Sequence, residues 1–105
     1  MISLRPEAHA NDEQVRVLHA DREVWLSERL FRRLVLIGAA YELHLLPLLG
    51  EDATLNAVQA DGLLTELDFV GDLVADPALA SVLNVFTPLV RACRASKGEL
   101  RIDWP

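Results

Sequence analysis

Residues 34–49, LVLIGAAYELHLLPLL, form the longest apolar run in the chain, and their reading decides the fold. At about 100° per residue, Leu26, Leu30, Leu34, Ile37, Tyr41 and Leu45 share one helical face, which predicts a central helix with that face toward a core. The opposite face carries Glu28, Arg29, Arg32 and Arg33 in its first half. In its second half it carries Leu36, Ala39, Ala40, Leu43 and Leu46, so there the helix is apolar all round. Such a helix must be covered by other parts of its own chain or by a second copy. A bilayer span is the poorer reading. The run is shorter than the roughly 20 residues a membrane requires, and it contains Glu42 and His44.

Working outward, the helix begins between Asp21 and Ser27, either of which offers a side-chain oxygen to a free backbone N–H. Pro47 and Gly50 end it near Leu46. A second helix is expected from Asp52 or Ala53 to Ala75, with Leu63, Leu64, Leu67, Val70 and Val74 inward and Asp61, Asp68 and Asp72 together on another face. Asp61-Gly62 reads as a turn signal that would break it. Asp76-Pro77 opens a third helix, with aspartate as N-cap and proline at the first helical position. That helix runs to about Ser96, buries Leu79, Val82, Leu83, Phe86, Leu89, Val90 and Cys93, and is expected to kink at Pro88, which has no N–H for the carbonyl of Asn84.

The flanks alternate instead. Leu100, Ile102 and Trp104 share one side of a C-terminal strand after Gly98, Ile2–Arg5 reads as a short N-terminal strand, and Gln14–His19 as a possible third. The expected fold is therefore α+β and mostly helical. It has a three-helix core, two of the helices forming an antiparallel hairpin, packed on a small antiparallel sheet made by the N- and C-terminal strands. The short connection near residue 50 makes the first two helices that hairpin and places Arg32 by Asp68 and Arg29 by Asp72.

At 105 residues and 51% hydrophobic composition, a single compact domain over residues 1–105 with a core of its own is expected. The formal charge of -6 argues against nucleic acid, whose phosphates require a basic footprint, and favours basic partners. One cysteine, Cys93, leaves no intrachain disulfide and no thiolate metal cage. The N-terminal residues show no basic region followed by an apolar run, so a cytoplasmic protein is expected.

Chemistry-bearing patterns are sparse. No Glu-x-x-His or His-x-x-x-His pair suited to a metal is present, and Gly-rich phosphate loops and nucleophile elbows are missing. His9, Asp12, Glu13, His19 and Asp21 form a loose group that would need a folded-back loop to act on anything. His44 is expected partly buried and bonded to a carbonyl, and Cys93 to be inert packing. These readings lead to a non-catalytic, cofactor-free, acidic module that docks on another protein in the manner of an inhibitor, antitoxin or adaptor. Trp25, Leu36, Leu43 and Leu46 would form an apolar contact, or Asp61, Asp68 and Asp72 an acidic one. A self-associating homodimer is the alternative, and a small His-dependent enzyme or metal protein a more distant one. Trp104 is expected to close the core between sheet and helices.

Overall fold

A computed structural model describes residues 13–105, and the expected strand at Ile2–Arg5, with His9 and Asp12, lies outside them. Three helices pack on a four-stranded antiparallel sheet. The strands are β1 (Gln14–His19), β2 (Arg22–Ser27), β3 (Ala53–Leu55) and β4 (Leu100–Asp103), in the order β2-β1-β4-β3. The helices are α1 (Glu28–Ala40), α2 (Ala57–Leu73) and α3 (Pro77–Ser96), and a 3-10 turn spans Leu46–Gly50.

The hairpin of β1 and β2 pairs Val15 with Leu26, Arg16 with Trp25 and Val17 with Val24. Trp25 thus belongs to a strand, and so does Leu26, which was expected on the core face of the central helix. Its turn passes through Ala20 at φ 56°, a left-handed position that glycine or asparagine would ordinarily mark. The C-terminal strand β4 lies between β1 and β3, with Val17 opposite Ile102 and Leu55 opposite Leu100. Val15, Val17, Leu26, Leu55, Leu100 and Ile102 are buried on the inner side of the sheet. On the outer side, Arg16 pairs with Glu23 and Asp103, and Arg101 also pairs with Asp103, which links β2, β1 and β4 by charge.

Ser27 is the N-cap of α1 and accepts from the N–H of Leu30 at 3.3 Å. The helix stops at Ala40, well before the expected end near Leu46. Glu42 is left-handed (φ 58°), and the N–H groups of Leu43 and Glu42 donate to Gly38 and Ala39, a Schellman ending made without glycine. The chain then folds back on the helix it has just left. A Cβ on Gly38 would lie 2.5 Å from Cβ of Leu46, so only glycine lets the returning segment approach so closely. This return rotates the buried face of α1 to Phe31, Leu34, Val35 and Gly38 and leaves Tyr41 exposed.

In α2, Asn56 and Gln59 form a reciprocal capping box. The helix therefore starts at Ala57 and not at residue 52 or 53, where β3 forms instead, and it continues unbroken through Gly62. Asp76 accepts from the N–H of Ala78 at 2.9 Å to start α3, which continues through Pro88 to Ser96. The tight helical pair is α2 with α3, joined by three residues, and not α1 with α2. Phe31 and Phe86 meet edge to face at 5.4 Å between the layers. Trp104 closes the core as expected: its ring lies 5.7 Å from Phe31 and its Nε1–H donates to the carbonyl of Leu49. Arg32 stacks over the same ring.

Candidate functional site

The segment between α1 and the 3-10 turn is held by a residue that the sequence reading passed over. Glu66, on the inner side of α2 and 9% exposed, receives the N–H groups of His44, Leu45 and Leu46 at 2.8–3.0 Å. These amides are the free donors at the start of the 3-10 turn, and a carboxylate placed there caps them as it would cap a helix N-terminus. His44 itself is exposed. The histidine that is buried and bonded to a carbonyl is His19.

Clipping this segment to α2 presents an apolar face to solvent. Tyr41 and Phe69 touch edge to face at 5.7 Å, yet they remain 52% and 44% exposed. Leu73, one turn beyond Phe69, is exposed on the same side of α2, and Leu36 is exposed on α1. Beyond Leu73, Arg33 of α1 pairs with Asp76 at 2.6 Å, so this part of α2 runs antiparallel to α1. On the α2 wheel, Phe69 and Leu73 lie about 90° around from Asp61, Asp68 and Asp72, so an apolar stripe and an acidic stripe run side by side.

The residues expected at a contact are not all brought together. Leu36 is exposed on α1 but lies about 140° around that helix from Tyr41, so it does not join this face, whereas Asp68 and Asp72 flank it without an ion pair to any described residue. Asp61 pairs with Arg94. Leu46 is fully buried and belongs to the core, because the chain turns back at Glu42 and lays it against Gly38. Leu43 packs half-buried on the core. Trp25 is exposed on the outer face of the sheet under Arg16, away from the helices. The expected pairs Arg32–Asp68 and Arg29–Asp72 do not form; Arg32 pairs with Glu28. The reason is that α2 continues past Gly62 and pairs closely with α3, which supplies Arg94 to Asp61. Phe69 and Leu73 went unnoticed, and Tyr41 was expected in the core but is exposed, because wheel positions alone do not tell an outer apolar residue from an inner one. The signal available was Phe69 between Asp68 and Asp72, an aromatic residue set in an acidic face.

A second cluster joins β1 to the end of α3. His19 is 6% exposed, with Nδ1 3.0 Å from the carbonyl of Glu99 and Nε2 3.2 Å from Oγ of Ser96. Nδ1 therefore donates to that carbonyl, and Nε2 faces a hydroxyl, an arrangement able to polarise serine. The surroundings oppose such chemistry. The amides of Lys97 and Gly98 already donate to Arg94 and Cys93, and Ser96 ends a helix whose negative pole disfavours an alkoxide. The cluster reads as a clasp between strand and helix. Cys93 beside it is buried, and burial, with Glu99 adding its charge, raises its thiol pKa.

No group of three or more His, Cys, Asp or Glu side chains able to hold a metal occurs among the described residues, nor is any helix there long and apolar enough to cross a membrane. Comparison with protein families, curated proteins and solved structures found no match.

Proposed function

We propose that this chain is a non-catalytic module that docks on another protein through the apolar face of Tyr41, Phe69 and Leu73. The observation that carries this reading is the ring pair of Tyr41 and Phe69. Two large aromatic side chains meet at the surface beside the segment that the buried Glu66 carboxylate clips to α2, where burial against a partner gains both apolar area and ring contacts. Exposed aromatic anchors set on rigid helices are the usual high-energy centre of a protein interface.

The test is affinity capture from a lysate of the source organism, comparing wild type with Phe69→Ser/Leu73→Ser and with Trp25→Ser on the opposite face. The expected result is a partner retained by wild type and Trp25→Ser but lost with the double variant. Equal retention by all three would overturn the reading.

Self-association through the same face is a second reading. A second copy would cover the exposed Phe69, Leu73 and Tyr41 with the same apolar residues. Sedimentation of wild type against Leu73→Asp tests it, since a dimer of this kind would dissociate.

A further inference from the structure

Resting on the docking reading above, we propose that the segment taken up by this face is a basic amphipathic helix of a partner protein, lying along α2. Its apolar side would sit on Phe69, Leu73 and Tyr41, and its Lys or Arg residues would meet Asp68 and Asp72.

Charge complementarity selects this occupant. The acidic stripe runs beside the apolar one for its whole length, and Asp68 and Asp72 have no ion pair to a described residue, so both carboxylates are available. Asp61 extends the stripe by two turns, although Arg94 already neutralises it in part. Behind Asp68 and Asp72 lies a groove of about 240 Å³ between α2 and α3, with Leu67 and Leu83 as an apolar floor and Asn84 and Thr87 among its polar walls. A lysine or arginine would lay its methylenes on such a floor and its charged head at the carboxylate rim. Arg91 shares the groove and limits the number of incoming cations it takes.

The alternatives fit less well. A second copy would bring another chain of charge -6, while two of the guanidiniums on α1 are engaged within the monomer, Arg32 by Glu28 and Arg33 by Asp76. A nucleic acid or an anionic membrane would be repelled by the same stripe. An added strand requires a sheet edge, whereas this face is built from helices, whose ridges and grooves take another helix.

The experiment uses the full chain and fluorescence anisotropy with a labelled helical peptide of about five turns, carrying leucines at i, i+3, i+4 and i+7 and lysines along one flank. Companion probes are the same peptide with glutamate for lysine and a scramble with identical charge but no apolar face. Protein variants are Phe69→Ser/Leu73→Ser, Asp68→Asn/Asp72→Asn, and Asp21→Asn/Glu51→Gln, which removes the same charge elsewhere.

Binding of the lysine peptide alone is expected, weakening with salt, lost with the apolar variant and reduced about tenfold by Asp68→Asn/Asp72→Asn but not by the charge-matched control. Equal binding of the lysine and glutamate peptides, lost on Phe69→Ser/Leu73→Ser, would overturn the basic partner and leave docking standing. Binding of the scramble as well as the amphipath, insensitive to Phe69, would overturn the site and reduce the effect to bulk charge. Binding of no peptide, with a dimer that Leu73→Asp dissociates, would overturn both proposals in favour of self-association. Binding of no peptide by a monomer would overturn the basic helix as occupant.

Discussion

Replacing Glu66 by alanine removes the acceptor of three backbone amides at once. Water reaches the exposed residue His44 and can satisfy its amide, but Leu45 is only partly exposed and Leu46 is fully buried. A buried donor left without a partner costs about 1–3 kcal/mol, so two such donors plus the lost charge-assisted bond to His44 predict a destabilisation of about 3–5 kcal/mol. Against a stability of about 5–15 kcal/mol for a domain of this size, that is a large fraction. Glutamine keeps one acceptor oxygen but turns an N–H₂ toward amides that Oε2 had accepted, so Glu66→Gln should cost about 2 kcal/mol. The ordering of wild type, Gln and Ala is the signature of the clip, whereas mere loss of surface charge would make the two variants alike.

Urea titration followed by far-UV circular dichroism and by tryptophan fluorescence measures these values, and Trp104, bonded to Leu49 in the 3-10 turn, reports on the same region. The variants should also bind the basic peptide more weakly under folded conditions, since the clipped segment carries Tyr41 to Phe69. A Glu66→Ala protein within about 1 kcal/mol of wild type, or a Gln variant equal to wild type, would refute the reasoning.

Two further predictions rest on local geometry. Alanine at Gly38 gains helix propensity of about 1 kcal/mol but drives its methyl into Cβ of Leu46, an atom that no rotamer change can move, so a net loss of about 1–2 kcal/mol is expected. Alanine at Gly71 meets only Leu83, at an ordinary 3.7 Å, and should gain about 0.5–1 kcal/mol; the two denaturation midpoints must move in opposite directions. Asp76 is the other case. The Ala78 N–H and the Arg33 guanidinium hold its carboxyl below the ordinary value of 3.8, so its ionised form is favoured by folding. Its contribution is then present above that value and lost as pH falls through the folded one. Denaturant midpoints of wild type and Asp76→Ala should differ fully above about pH 5 and converge in strong acid, and a gap that widened on acidification would contradict the assignment.

Much of this architecture is legible in local patterns. Asp76-Pro77 starts α3, Ser27 starts α1, Gln14–His19 and the alternation of Leu100, Ile102 and Trp104 make strands, and Asp61, Asp68 and Asp72 of α2 lie on one exposed face. Each depends on interactions within a turn or two of chain, or on a period of 2 or 3.6, and such information is carried by neighbouring residues. Two of the errors share a cause. At Ala20 and Glu42 the backbone is left-handed with neither glycine nor asparagine to announce it, so the β1–β2 hairpin and the end of α1 left no mark of the customary kind.

Those two positions are held by partners distant in the chain. Pairing of β1 with the C-terminal strand β4 holds the hairpin, and Glu66, 22 residues from His44, fixes the return after α1. The amino-acid sequence by itself therefore determined the class of fold, the inner faces of α2 and α3 and the acidic stripe, because these follow from local hydrogen bonding and periodicity. Tertiary structure alone decided that Leu46 is core, that Tyr41 meets Phe69 at the surface and that α2 pairs with α3, because one buried carboxylate and one close glycine contact choose where the chain turns back.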